Sequence, residues 1–242
     1  MENKKIAFIT GGNRGIGFET ARELAENGVY VIIGARSADQ GKEAVEKLRK
    51  KDLEAEYLVF DVNNPQHYKN ASKFLEEKFG RLDILVNNAG IMVDGTDTTS
   101  VISMNKIRET FDTNFFAPIA ITQTLLPLLK KSAAGRIVNL SSILGSLTLH
   151  GEPGSPIYNS KVFAYDASKT ALNAFTVHLA HELKDTKIKV NSAHPGWVKT
   201  DMGGPSAPME LADGGKTSVQ LALLPDNGPT GGFFHTGEHL PW

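Results

Sequence analysis

The sequence predicts an α/β fold in one domain, a doubly wound parallel sheet with helices on both faces. Three observations carry that expectation. Short apolar, β-rich runs alternate with longer amphipathic stretches, the pattern of repeated strand–helix–strand units. Glycines and small polar residues punctuate the ends of several runs. Finally, 242 residues, 40% of them hydrophobic, are enough for one substantial core, and no low-complexity linker divides the chain.

The elements follow in order. The apolar run 6–9 reads as a first strand, and residues 15–27 read as a helix stopped by Gly28. A second strand covers 29–33 and a helix 41–51. Residues 57–60 form a third strand ending at Asp61, and 65–79 a helix that opens on Pro65 and stops at Gly80. A fourth strand, 84–86, runs into Asn87-Asn88-Ala89-Gly90. Residues 103–130 are expected to be helical with a bend near Pro118. A fifth strand, 136–140, leads into Ser141-Ser142, and residues 145–162 read as a loop. Then come a long helix over 163–183, a strand over 187–193, and a Gly/Pro-rich tail with a short helix and a last strand near 232–235.

Charge and composition narrow the function classes. The chain has 26 basic and 27 acidic residues and a net charge of −1, so no field gathers nucleic acid or coats an anionic membrane. Small-molecule partners are expected. There is no cysteine, which excludes disulfides and thiolate metal sites and fits a cytoplasmic location. The first apolar run is too short for a signal or membrane segment, so no membrane association is expected.

The chemistry begins in Thr10-Gly11-Gly12-Asn13-Arg14-Gly15-Ile16-Gly17, where a strand meets a helix. Small residues there leave room for a pyrophosphate, and the helix N-terminus faces the anion. The spacing is not the literal Gly-x-Gly-x-x-Gly, because Gly12 is extra, and a glycine cluster alone also fits a tight structural turn. The end of the second strand, Gly34-Ala35-Arg36-Ser37, lacks the carboxylate that would accept from a ribose hydroxyl. Arg36 and Arg14 instead suit a 2′-phosphate, which favours NADP(H). The competing readings are two solvated surface arginines, or Asp39 turned back to the ribose.

A second constellation is Tyr165-Asp166-Ala167-Ser168-Lys169, with tyrosine and lysine at i and i+4 on one helix face. A nearby ammonium favours the phenolate and would bring the tyrosine pKa towards the working range. Ser142 follows the fifth strand, where its hydroxyl could hold a substrate oxygen, and Asn114 lies on the long central helix. Taken alone, Tyr165 is equally at home as an ordinary amphipathic-helix residue.

All these features occur in order, and with them the chain resembles the short-chain dehydrogenase/reductase family over nearly its whole length. The resemblance rests on the turn 10–17, Asp61-Val62, Asn87-Asn88-Ala89-Gly90, Asp112-Thr113-Asn114, Asn139-Leu140-Ser141-Ser142, Tyr165-x-x-x-Lys169 and Pro195-Gly196-Trp197-Val198-Lys199-Thr200. It implies a Rossmann-type fold with Tyr165 as general acid in reduction and Ser142 orienting the carbonyl oxygen. Lys169 would lower the tyrosine pKa and bind the nicotinamide ribose, and Asn114 would hold a water in the proton relay. The cofactor would lie along Gly11, Asn13, Arg14, Gly15, Ile16, Gly17, Arg36 and Ser37. Asp61 and Val62 would flank the adenine, Asn88, Ala89 and Gly90 would line the groove, and Pro195, Gly196, Val198 and Thr200 would hold the carboxamide end. Substrate contacts are expected from Ser142, Ile143, Tyr165, Trp197 and Met202, with residues 200–225 covering the site. Asn13-Arg14-Gly15, Asn114-Phe115-Phe116 and Gly231-Gly232-Phe233-Phe234 look most like the NADPH-dependent carbonyl reductases, implying a ketone or aldehyde substrate and, from the long helices, a homo-oligomer.

One departure needs a choice between phenols. Ser142 and Tyr165 stand 23 residues apart, wider than the family commonly spaces them, so residues 145–162 read as an insertion before the catalytic tyrosine. The rival phenol, Tyr158, has Val162 at i+4 and no ammonium on its helical face, which selects Tyr165. The insertion either borders the substrate cleft or is a passive surface loop. His150, His178, His181 and His194 offer no convincing ligand spacing beyond His178 and His181 at i+3, so no metal is expected. Trp197, Met202 and Trp242 could line a substrate pocket or pack in the core. The rival functions are a non-catalytic NADP-binding sensor or scaffold, and a lyase or epimerase using the cofactor transiently.

Overall fold

The computed structural model describes residues 4–242. Its centre is one sheet of eight strands, β1 (Ile6–Thr10), β2 (Tyr30–Ala35), β3 (Ala55–Val59), β4 (Ile84–Asn87), β5 (Arg136–Leu140), β6 (Lys189–Ala193), β7 (Phe233–His235) and β8 (Glu238–His239). The spatial order is β3-β2-β1-β4-β5-β6-β7-β8. Every neighbouring pair is parallel except β7 with β8, where Phe234 faces His239. The order reverses between β1 and β4, and the ends of these two strands open the crevice in which such sheets bind ligands.

Side-chain alternation along the strands explains why two layers of helices are needed. On β1, Ile6 and Phe8 point to one face and join α3 (Pro65–Phe79), α5 (Ala117–Leu129) and α7 (Phe163–Glu182) through Leu75, Leu125 and Leu179. Ala7 and Ile9 point the other way and pack with α1 (Gly15–Glu26), α2 (Ala38–Arg49) and α8 (Lys216–Ala222) through Leu24, Leu48 and Val219. All five β1 residues are buried, as expected of a parallel strand covered on both sides. Truncating a fully buried residue such as Leu75 or Leu24 to alanine costs about 2–5 kcal/mol.

Most predicted boundaries hold to within a few residues. The helix read over 65–79 spans those residues, with Gly80 closing it at φ 68°. α2 begins three residues before the expected start because Ser37 caps it, its hydroxyl accepting from the Gln40 N–H at 3.3 Å. Two expectations change. Residues 145–162 are not simply a loop: a 3-10 turn at Ile143–Gly145 is followed by α6 (Leu147–Gly151), capped by Ser146 accepting from the Leu149 N–H at 3.2 Å. The expected single helix over 103–130 consists of α4 (Met104–Phe111), a π-helical segment (Asp112–Phe116) and α5.

The π segment has a sequence cause. Pro118 lacks the N–H that would close onto the Asn114 carbonyl in an α-helix, and the Ala117 N–H reaches back to the Asp112 carbonyl instead. The proline was expected to bend the chain, and the bulge sits immediately before it, on the turn that carries Asn114. No helix among the described residues is long and apolar enough to cross a membrane.

Candidate active site

The glycine turn follows β1. Gly11 has φ 62° and Gly15 φ 57°, a left-handed backbone that side-chain-bearing residues rarely adopt. At Gly17 the limit is space, since a Cβ there would stand 2.4 Å from Asn88 Nδ2 and 2.5 Å from the Gly11 carbonyl oxygen. Asn88 explains this closeness: its amide donates to the carbonyls of Thr10 (2.8 Å) and Gly11 (3.2 Å), bracing the turn. The Thr10 hydroxyl accepts from the Asn88 and Ala89 N–H groups at 3.0 and 3.1 Å. β1 and β4 are thereby locked where the crevice opens.

The start of α1 suits an anion. Arg14 at its cap position makes no side-chain cap, and no acidic residue occupies the first turn, so the first N–H groups remain free for a phosphate. Arg14 itself is exposed and paired with Asp201 at 2.6 Å, a residue of the predicted covering segment. Arg36 is exposed just beyond β2, while the Ser37 hydroxyl is used as the α2 cap. Asp39 lies in the first turn of α2. On the neighbouring strand end, Asp61 accepts from the Asn63 N–H (2.9 Å) and its own N–H donates to His67 Nδ1 (2.8 Å). Val62 is buried, its carbonyl accepting from the Tyr68 hydroxyl.

The polar cluster forms where π segment, β5 and α7 meet. Asn114 is fully buried: its Oδ1 accepts from the Ile91 N–H (2.8 Å), and its amide donates to the Ile91 carbonyl (2.8 Å) and Ser168 Oγ (3.0 Å). Lys169 Nζ donates to the Leu140 carbonyl at the end of β5 (2.7 Å) and lies 5.5 Å from the centre of the Tyr165 ring. Gly90 closes the group, since a Cβ there would come within 3.4 Å of Asn114 Oδ1 and 3.5 Å of Lys169 Nζ. The Ser142 hydroxyl draws the Tyr165 pKa down, and its Oγ accepts from the Leu144 N–H at 3.2 Å. A separate surface hollow of about 630 Å³, lined by Asn63, Tyr68, Arg108 and Phe116, contains none of Asn114, Ser142, Tyr165 and Lys169.

Titration behaviour departs from the expectation built on spacing. Burial pushes the Tyr165 phenol up to about 12, against the pull of Ser142 and with the help of the Asp166 charge. Burial also brings the Lys169 ammonium down to about 8. The tyrosine therefore rests protonated, because desolvation outweighs the Ser142 hydrogen bond. The spacing argument against Tyr158 also changes: Lys161 Nζ lies 5.2 Å from its ring centre. Tyr158 is 39% exposed, so burial and Ser142 separate the two phenols, not the presence of an ammonium.

The expected substrate residues divide. Ile143 follows Ser142 and its N–H donates to His194 Nδ1 at 3.2 Å. Trp197 and Met202 are exposed, with the indole N–H donating to the Gly203 carbonyl (2.8 Å), so neither packs into the core. Pro195 is buried and Gly196 turns at φ 91°. Val198 is buried and bridges to Met209, while Thr200 Oγ1 accepts from the Gly203 N–H at 2.9 Å. Trp242 stacks on Phe233 at 5.6 Å, and its main-chain oxygen accepts from Thr148 of the insertion (2.9 Å). His150 ties the insertion to α7, with Nε2 at 2.9 Å from the Leu144 carbonyl oxygen and 3.3 Å from Asp166 Oδ2.

Sequence reasoning missed three groups. His194 is buried, and burial brings it down to about 3, so it stays neutral and accepts from Ile143. A chain of hydrogen bonds links Asn87, Asn139, Thr176 and Ser192 across the ends of β4, β5 and β6 at 2.8–2.9 Å. Asp94, fully buried, accepts from the backbone N–H groups of Ala164 (2.7 Å) and Tyr165 (3.2 Å).

Glycine turn, switch point and buried polar cluster define a dinucleotide-binding α/β fold. The chain belongs to the short-chain dehydrogenase/reductase family: the family model for short chain dehydrogenases matches residues 5–211. It is 33% identical to carbonyl reductase [NADPH] 1 of Mus musculus, over 99% of each chain. It superposes on the NADPH-bound carbonyl reductase from chicken fatty liver with a TM-score of 0.85 and 27% identity, over 99% of both chains. The salutaridine reductase of Papaver somniferum gives 0.83 and 31%, over 96% of this chain and 99% of that one.

Proposed function

We propose that this NADP(H)-dependent short-chain dehydrogenase/reductase reduces ketones or aldehydes to alcohols, with Tyr165 as proton donor and Ser142 holding the carbonyl oxygen. The observation that carries the reading is the buried Tyr165, with Lys169 Nζ 5.5 Å from its ring centre and anchored to the Leu140 carbonyl at the end of β5. The bound dinucleotide supplies or takes up hydride. Gly11, Asn13, Gly15, Ile16 and Gly17 would hold its pyrophosphate at the α1 N-terminus, where the open space above Gly15 and the N–H groups left without a side-chain cap fit it. Arg36 and Arg14 would face the 2′-phosphate, and Lys169 the nicotinamide ribose. During reduction the Tyr165 O–H donates to the developing alkoxide, and the Ser142 O–H donates to the same oxygen. Lys169 lies beside the phenolate this leaves.

The names of the relatives support a carbonyl substrate: carbonyl reductases and salutaridine reductase in the comparisons above, and (+)-neomenthol dehydrogenase of Capsicum annuum, 31% identical over 97% of this chain and 96% of that one. Residues 200–225 would cover the substrate, tethered through Val198 and Met209. Exposed Phe116 and Val177, on the π segment and α7, support a homo-oligomer, and light scattering that gives a clean monomer mass would contradict it. The test of function is the loss of NADPH absorbance when a panel of ketones, ketoesters and aldehydes is added. Turnover is expected, whereas tight NADPH binding without turnover would favour a sensor.

A further inference from the structure

We propose that Asp94 is a positioning residue for the reaction, an N-cap supplied from a distant loop that sets the height and direction of Tyr165. The cap position of α7 offers no side-chain acceptor, because it is Val162; the helix's own Asp166 accepts from the Val162 N–H (2.9 Å) but not from the N–H groups of Ala164 or Tyr165. The Asp94 carboxylate, 70 residues away in sequence, fills that role by accepting from the Ala164 and Tyr165 N–H groups at 2.7 and 3.2 Å. An anionic acceptor on the first turn also complements the helix dipole. One of the two bonds is made by the backbone N–H of the tyrosine itself.

The loop bearing this carboxylate is the one that lines the cofactor groove, and it has its own anchors. Asn114 grips both backbone polar groups of Ile91. Lys106 Nζ donates to the Asp94 carbonyl (3.1 Å) and to Asp97 Oδ2 (2.7 Å). Gly95, at φ 64°, takes the chain round the corner after Asp94. Removing the Asp94 carboxylate therefore leaves groove and loop in place and releases only the start of α7. With Asn114 also bonded to Ser168, one helical turn after Tyr165, the catalytic helix is registered to the groove at two points. The proton donor is thus placed by the same segment that would line the nicotinamide's bed. A shift of about an ångström at a reacting group costs up to about a hundredfold in rate.

The inference rests on the reading of Tyr165 as proton donor, and the experiment separates the two. Asp94→Ala and Asp94→Asn are compared with the wild-type enzyme for kcat, ketone KM and NADPH affinity by fluorescence. Asp94→Ala is expected to lower kcat by about one to two orders of magnitude, with NADPH affinity and ketone KM within about threefold of wild type. Asp94→Asn keeps the shape and one acceptor, so its loss should be smaller. A kcat within about twofold of wild type in either variant would overturn the inference, as would NADPH affinity falling in step with kcat. Where Asp94→Ala yields no folded protein, Asp94→Asn decides. Tyr165→Phe in the same assay tests the underlying reading: if it stays active, that reading fails; if it is silent while Asp94→Asn is fully active, only the positioning role fails.

Discussion

Tyr158 and Tyr165 lie seven residues apart, and each has a lysine ammonium close to its ring, Lys161 at 5.2 Å and Lys169 at 5.5 Å. Their surroundings otherwise have little in common. Tyr158 sits in a turn of the insertion and is 39% exposed. Tyr165 is 9% exposed on the first turn of α7, next to Ser142, with its backbone N–H held by Asp94. A cation near the ring is therefore common to both phenols and does not set Tyr165, the proposed proton donor, apart. What sets it apart is buried surroundings, a second hydroxyl that the proposed mechanism uses on the substrate oxygen, and a helix whose start is fixed to the loop after β4.

The comparison can be broken most decisively at Tyr165. Tyr165→Phe should lower kcat for ketone reduction by about a thousandfold or more while NADPH affinity by fluorescence stays near wild type; retained turnover would contradict the assignment. Ser142→Ala removes the second donor to the carbonyl oxygen, so kcat/KM should fall about a hundredfold. The pH profile sharpens the contrast. The phenol is held up at about 12 and the Lys169 ammonium down at about 8, so reduction, which uses the protonated phenol, should change little between pH 6 and 7, and a change near pH 8 would report the Lys169 charge. Alcohol oxidation needs the phenolate to accept a proton, and its kcat/KM should climb towards about tenfold per pH unit between pH 6 and 7. The smallest effect belongs to the exposed phenol: Tyr158→Phe should leave turnover within about twofold of wild type, and abolished catalysis would reverse the choice of tyrosine.

What was legible in the sequence is local or periodic. Alternation marked the buried strands, Gly80 marked the end of α3, and the glycine turn with Tyr165 and Lys169 marked the crevice. Ser37 followed by Gln40 was a readable capping signal for the early start of α2. The rest depends on groups that meet only after folding. The π segment under Asn114 needs both Pro118 and the bond from Ala117 to Asp112. Asp94 reads as one more loop aspartate until α7 is laid against it. The pKa of Tyr165 lies above what its spacing from Lys169 implies, because i, i+4 spacing conveys the neighbouring charge but not the depth of burial, and in this site burial dominates.

The central claim, that the phenol at position 165 is the one that moves the proton, has a direct test. Fluorotyrosine, a more acidic phenol of nearly the same shape, is placed at 165 or at 158, and the pH dependence of alcohol oxidation is measured for each protein. At 165 the oxidation profile should move to lower pH by the amount the fluorine acidifies the phenol, and at 158 it should coincide with wild type. A profile that moves with position 158, or with neither, would contradict the account.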